Sequence, residues 1–178
     1  DSPAPLQASP SRSAAEVDLS IIVPVYFNAR ELDATLATLR REVVDAIRPL
    51  TTEIVFVDDG SGDDSFAVLQ RLRKEHPQLV RLVKLTRNFG QANATRAGFE
   101  HARGKFLVAI SADGQDPASL IVEMLRVHRD EGFELVIAYR TGRDESFFRR
   151  ATSRIFYSLI RRLSFPNMPE GGFDFLGF

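Results

Sequence analysis

The chain has no cysteine, which excludes a disulfide scaffold, thiol catalysis and a cysteine-ligated zinc site. Its three histidines, His76, His101 and His128, are scattered, so any metal must be held mainly by oxygen. No apolar run approaches the ~18 residues that a membrane span requires. Lys and Arg number 23 against 24 Asp and Glu, a net charge of −1 that lacks the basic excess of a dedicated nucleic-acid binder. No nucleic-acid partner is expected. What is present is ordinary for one globular domain: 178 residues, 44% hydrophobic and 26% charged.

Residues 1–16, DSPAPLQASPSRSAAE, combine Pro, Ser and Ala with no apolar periodicity and read as a flexible N-terminal arm. They hold no apolar segment of a secretory signal, so nothing in them points to export. From Leu19 onward, short β-rich runs alternate with longer helical ones. LSIIVPV precedes a helical stretch over about 30–47, EIVFV one over about 63–75, and VRLVKL one over about 91–102. FLVAIS precedes a stretch over about 117–130 and ELVIAY one over about 147–163. Five successive βα units predict an α/β sandwich around a largely parallel sheet, its strands covered on both faces. Ligands of such sheets bind beyond the carboxyl ends of the strands, so the segments just after them are where chemistry is sought.

The first of these segments, Pro24-Val25-Tyr26-Phe27-Asn28, suits either a turn that holds a flat ring or ordinary loop chemistry. The second, Asp58-Asp59-Gly60-Ser61-Gly62-Asp63-Asp64-Ser65, places two carboxylates where a strand meets a glycine turn. Asp63 or Asp64 can cap the following helix. The stretch imitates a dinucleotide fingerprint but lacks its third glycine, and its carboxylates would repel a pyrophosphate. They suit hydrogen bonds from a base N–H or ribose hydroxyls instead. The third segment, Thr86-Arg87-Asn88-Phe89-Gly90-Gln91-Ala92-Asn93, leads into Ala94, Ala97 and Gly98, small residues that permit close helix packing. In the fourth, Ser111-Ala112-Asp113-Gly114-Gln115-Asp116-Pro117, Ser111, Asp113 and Gln115 alternate. On extended backbone they would offer oxygens to a hard divalent cation; the alternative is a polar loop in which Asp116 caps a helix opened by Pro117.

After the fifth strand, residues 140–162 hold seven arginines against Asp144 and Glu145. On a helical projection Phe148, Ile155, Phe156, Leu159 and Leu163 share one side and Arg150, Arg154 and Arg161 fall opposite. That pattern fits a core-packed helix with solvated arginines, or a helix lying on an anionic membrane surface.

SIIVPVY, EIVFVDDGSGDDS, the Arg-Asn-Phe-Gly-Gln loop and ADGQDP, in this order and at these separations, resemble family 2 glycosyltransferases of the GT-A fold. Within them the chain is similar to the polyprenyl-phosphate branch, which includes dolichol-phosphate mannose synthases and bacterial undecaprenyl-phosphate sugar transferases. The resemblance runs from about residue 19 to the end. It implies an inverting transfer of a sugar from a UDP- or GDP-sugar to a polyprenyl phosphate, assisted by Mg²⁺ or Mn²⁺. By the same comparison Pro24, Tyr26 and Asp58 line the nucleoside site, and Asn28, Asp59, Arg87 and Gln91 serve the nucleotide-sugar. Asp113 and Gln115 face the metal and diphosphate, with Ser111 a weak further ligand; separately, the arginine excess after the fifth strand makes Arg140 and Arg143 the residues expected to hold acceptor or donor phosphates.

Three departures stand out. Ser111 replaces one carboxylate of the family's usual Asp-x-Asp, which should lower metal affinity. Asn28 stands where many relatives have Glu. Relatives also continue beyond the region Gly171-Gly172-Phe173-Asp174-Phe175, so residues 17–178 are expected to be a catalytic domain shortened at its C-terminus. The expected location is peripheral, at the cytoplasmic face of a membrane, with C-terminal membrane helices in the full-length protein; a homo-oligomer stays open. Other readings are a soluble family 2 transferase acting on a saccharide or protein, and a catalytically weak nucleotide-sugar-binding module. A lipid phosphate acceptor is already an anionic nucleophile, so catalysis would rest on cations rather than on a strong general base.

Overall fold

β1 (Val17–Val25) runs through the middle of the sheet, and its sequence VDLSIIVPV shows why. Leu19, Ile21, Val23 and Val25 point to one face and Ile22 to the other, so a strand apolar at nearly every position is buried from both sides. The computed structural model describes residues 17–114, 117–133, 136–138 and 175–177, the last two segments as backbone. The N-terminal arm and the helix expected over 147–163 lie outside the described residues.

β2 (Thr52–Asp58) and β4 (Gly104–Ala109) flank β1 in parallel, and β3 (Val80–Lys84) pairs in parallel with β2. The larger core lies on the face carrying α1 (Leu32–Leu39), α2 (Ser65–Glu75) and α4 (Ser119–Glu131), where Leu36, Leu69 and Ile121 meet Ile21 and Phe56. α3 (Gln91–His101) covers the other face over Ile22, Val55 and Val57. The small residues of α3 do allow close packing: a Cβ on Gly98 would lie 2.4 Å from Ile22 Cγ2.

Two local features depart from the sequence expectation. α1 is shorter than the 30–47 stretch and widens at Arg40–Val44 into a π-helical turn, where Asp45 N–H donates to Arg40 O at 2.9 Å. The fifth strand does not extend the parallel series. β6 (Phe175–Gly177) inserts antiparallel between β4 and β5 (Val136–Ala138), giving the order β3-β2-β1-β4-β6-β5. Four parallel strands therefore form the body of the sheet, and the chain returns from its far end to complete it. Among the described residues no helix is long and apolar enough to cross a membrane.

The amino ends of the strands are tied together by one buried acid. Glu53, 1% exposed, accepts hydrogen bonds from Ser20 Oγ (2.7 Å), Arg103 N–H (2.7 Å) and the Arg103 guanidinium (2.7 and 2.9 Å). Ser20 Oγ in turn accepts from Gly104 N–H at 2.8 Å, and a Cβ on Gly104 would lie 2.5 Å from Ser20 N, so this crossing requires glycine. Burial pushes the Glu53 carboxyl up, but the bonds from Ser20 and Arg103 outweigh it and hold the group below its ordinary value of 4.5.

A carboxylate with a lowered folded pKa contributes stability above its unfolded pKa and loses it as pH falls through the folded one. Thermal stability should therefore fall as pH drops below about 4.5, and Glu53→Gln should flatten part of that slope while costing roughly 2–3 kcal/mol at pH 7. Calorimetry of both proteins from neutral to acid pH checks this; parallel slopes would refute the assignment.

Candidate functional site

A pocket of about 260 Å³ opens where the carboxyl ends of β1, β2 and β4 meet the amino end of α3. Its wall contains Pro24, Tyr26, Asn28, Asp59, Gln91, Ser111 and Asp113, so four separate segments chosen from the sequence converge on one cavity.

The segment after β1 is held by side chains that accept from its backbone. Tyr26 N–H donates to Asn28 Oδ1 (3.1 Å), Phe27 N–H to Ser61 Oγ (3.2 Å) and Asn28 N–H to Ser65 Oγ (2.9 Å). These bonds fix Phe27 at φ 56°, a left-handed conformation that costs a residue with a Cβ about 1–2 kcal/mol. The Phe27 ring is 53% exposed and packs edge-on against Tyr26, with centroids 4.6 Å apart. It also lies over Gly62, where a Cβ would be 3.3 Å from Phe27 Cζ. The turn thus presents the Tyr26 ring to the pocket with Phe27 as its buttress.

The two carboxylates after β2 have different surroundings. Asp58 is fully buried and is not in the pocket wall; its Oδ1 accepts from Ser61 N–H at 3.3 Å, and its Oδ2 has no hydrogen-bond partner among the described residues. Asp59, 2% exposed, accepts from Phe89 N–H through Oδ1 (2.8 Å) and from Gly90 N–H through Oδ2 (2.9 Å). Gly90 immediately precedes α3, so this carboxylate also faces the positive end of the helix. Gly60, at φ 69°, brings the two loops into backbone contact: a Cβ there would lie 2.5 Å from Arg87 C. The expected capping at α2 comes from Asp63, which accepts from Ser65 N–H at 3.1 Å, while Asp64 makes no side-chain cap. Asp63 also accepts from Ala29 N–H at 3.4 Å; burial opposes its ionisation, but the bonds from Ser65 and Ala29 hold its carboxyl below the ordinary value.

In the third segment Gln91 and Asn88 reach the wall, whereas Arg87 does not. The Arg87 guanidinium lies over the Phe89 ring, 4.9 Å from its centroid. Asn88 is a polar wall residue that sequence reasoning did not single out, because an Asn two residues before a Gly signals a turn as readily as a binding group. Its Oδ1 accepts from Gly90 N–H at 2.8 Å, which serves that turn too. In the fourth segment the extended backbone ends at Ala109, and Ala112 and Asp113 form a turn. Ser111 and Asp113 therefore share the pocket through this turn and not through strand alternation. Thr35 Oγ1, from α1, donates to Ala112 O at 2.8 Å and anchors the turn from below. Gln115, Asp116, Arg140 and Arg143 lie outside the described residues, as do Arg150, Arg154 and Arg161.

The donors gathered at Ser111 and Asp113 are a hydroxyl and a carboxylate, both hard oxygen ligands. Among the described residues no group of three metal-binding side chains forms. The set fits Mg²⁺ or Mn²⁺ bound through one or two protein oxygens, with water and substrate phosphate completing the shell.

A largely parallel α/β sheet with an oxygen-lined pocket beyond its strand ends is the frame expected of a glycosyltransferase of the GT-A fold. The chain belongs to glycosyl transferase family 2, whose family model matches residues 20–178. It is 38% identical over 160 residues to the uncharacterized glycosyltransferase YkcC of Bacillus subtilis, covering 89% of this chain and 48% of that one. It is 37% identical over 156 residues to the undecaprenyl-phosphate 4-deoxy-4-formamido-L-arabinose transferase of Sodalis glossinidius, covering 86% and 46%. The chain spans about half the length of the curated relatives it matches. Among solved structures, the mannosyltransferase PcManGT from Pyrobaculum calidifontis, in complex with GDP-Man and Mn²⁺, superposes with a TM-score of 0.60 at 25% identity, covering 89% of this chain and 42% of that one. S. aureus TarS in complex with UDP-GlcNAc shares the fold, with a TM-score of 0.57 at 20% identity and coverage of 73% and 36%.

Two outcomes follow from this geometry. Asp59→Asn sets an amide N–H against Phe89 or Gly90 N–H, and should lower stability by about 1–3 kcal/mol. It should also weaken nucleotide-sugar binding; calorimetry and thermal unfolding measure the pair, and wild-type values for both would refute the role of Asp59 in tying the two loops together. At position 27 the usual order of glycine and alanine should reverse, with Phe27→Gly more stable than Phe27→Ala by about 1 kcal/mol because only glycine relieves the backbone. Both should bind nucleotide several-fold more weakly through loss of the Tyr26 buttress.

Proposed function

We propose that this domain transfers a sugar from a UDP- or GDP-sugar to a polyprenyl phosphate, with inversion at the anomeric carbon. The observation that carries the reading is the convergence of Tyr26, Asp59, Gln91 and Asp113 on one pocket in a family 2 chain. The names of its relatives, which act on undecaprenyl phosphate, point to the acceptor class. The GDP-Man and Mn²⁺ held by a structural neighbour point to the donor class and to a divalent metal.

In this reading the Tyr26 ring takes the flat face of the base, and Asp58, which lies behind the pocket wall with an Oδ2 that has no hydrogen-bond partner among the described residues, would accept from a nucleoside donor that reaches past that wall. Asp59 shapes the loop that carries Asn88 and Gln91 toward the sugar-nucleotide. Asp113 with Gln115, and weakly Ser111, would hold Mg²⁺ or Mn²⁺, which when bound neutralises charge on the leaving diphosphate. An acceptor phosphate oxygen attacks the anomeric carbon from the face opposite the diphosphate, and the bonding pair of the broken C–O bond leaves on the diphosphate oxygen. Arg140 and Arg143 would hold the phosphates in place. The phosphate enters already ionised, so no strong general base is needed. The working location is the cytoplasmic face of a membrane, where such an acceptor resides.

Asp113→Ala should reduce turnover by roughly 10²-fold or more and abolish the metal dependence of donor binding, with the unfolding midpoint little changed. Donor titration with and without Mn²⁺, beside a transfer assay, tests this, and wild-type behaviour would remove Asp113 from the site. Short-chain polyprenyl phosphate, free sugars and a peptide offered in parallel test the acceptor class. Transfer to sugar or peptide alone would overturn the lipid reading.

A further inference from the structure

A second cavity, of about 350 Å³, lies between α2 and β3 and shares no wall residue with the pocket described above. Phe66, Gln70, Arg73 and Lys74 enter it from α2 at helical spacing, and Leu82 and Lys84 enter it from alternate positions of β3. Phe66 and Leu82 give it an apolar part, Arg73, Lys74 and Lys84 give it three cations, and among the described residues no carboxylate lines it. Lys84 Nζ sits over the Phe66 ring, 3.7 Å from the centroid.

The three cations differ from their neighbours in having no ion-pair partner among the described residues. Arg71, on another face of the same helix, pairs with Asp33 at 2.7 Å and Glu75 at 3.3 Å, and Arg81, on the other face of the same strand, pairs with Glu53 at 3.5 Å. β3 is the edge of the sheet, where a lysine discourages strand addition. Arg73 and Lys74 lie in the last turn of α2, where cations offset the helix dipole; neither role requires the three to converge on one groove, as they do. Unpaired cations converging around an aromatic and a leucine match a ligand with a phosphate next to hydrocarbon.

We propose that the groove between α2 and β3 binds the phosphate headgroup of an anionic phospholipid and docks the domain on an anionic bilayer. Arg73, Lys74 and Lys84 would contact the phosphate, while Phe66 and Leu82 would meet the adjoining glycerol and methylene groups. A nucleic acid fits less well, since it needs a longer cationic track, and the chain carries a net charge of −1. The choice of a membrane as occupant rests on the lipid-acceptor reading of the function; the groove and its unpaired charge do not.

The test is partition of the 178-residue chain onto vesicles of mixed phosphatidylglycerol and phosphatidylcholine, with pure phosphatidylcholine as reference and no sugar donor or acceptor present. Wild-type binding should require phosphatidylglycerol and weaken with salt, as screening shortens to about 8 Å at physiological ionic strength. The triple change Arg73→Gln, Lys74→Gln and Lys84→Gln should lower the partition coefficient roughly ten- to hundredfold. A charge-matched control at the exposed Arg40, Arg96 and Arg126 should lose much less. Exposed glutamines at these places leave the core intact, and equal unfolding midpoints confirm it. Turnover with a soluble short-chain prenyl phosphate should be unchanged in the triple variant, which separates failure of the groove from failure of the acceptor reading. The proposal is overturned by absent wild-type binding, by equal losses in the control, or by an unaffected triple variant. Tight oligonucleotide binding that the triple variant alone loses, with vesicle binding intact, would overturn it too and assign the groove to nucleic acid.

Discussion

Two backbone N–H groups, those of Phe89 and Gly90, end on the two oxygens of Asp59, and the pocket depends on that contact. The carboxylate belongs to the end of β2 and the amides to the loop after β3, so one side chain sets the separation of two strand ends. The close approach at Gly60 has the same effect in the backbone. Asn88 and Gln91 consequently take their places in the wall before any ligand arrives. Preformed donors and acceptors spare the ordering cost that a loose loop would incur on binding.

β2 carries acids at both ends and apolar residues between them, and the acids serve opposite purposes. Glu53 is surrounded by donors, so its charge is spent within the fold and its role is to bind β1, β2 and β4 at their amino ends. Asp58, equally buried at the carboxyl end, keeps one oxygen without a partner among the described residues. A buried acceptor left open costs free energy in the isolated chain. Thr52 Oγ1, at the amino end of the same strand, is likewise buried without a partner among the described residues, so it is the pocket beside Asp59, and not an open acceptor, that distinguishes the carboxyl end of the sheet.

Much of the frame was legible in the sequence because its signals are local. Continuous apolar runs and the glycine and carboxylate turns after them located β1 to β4 to within a few residues and identified the loops that meet at the pocket. The features that escaped are non-local. Nothing in Phe175-Leu176-Gly177 says that it pairs between β4 and β5, since a three-residue strand has no periodicity to read. The left-handed conformation of Phe27 is imposed by Ser61, Ser65 and Asn28, two of them more than 30 residues away. Alternation at Ser111 and Asp113 suggested an extended strand, but the Thr35 hydroxyl meets a turn there, and the pairing of the two residues survived for a different reason.

The antiparallel insertion of β6 has a consequence for synthesis. Among the described residues, the wall of the pocket lies between Pro24 and Asp113, and β1 to β4 pair with one another without β5 or β6. β5, by contrast, pairs with β6, from which 36 residues of chain, 139–174, separate it. On a ribosome adding about 5–20 residues per second, the donor half could assemble seconds before the last strand emerges. During that interval β4 presents an unpaired edge, the kind of surface on which another chain can add a strand.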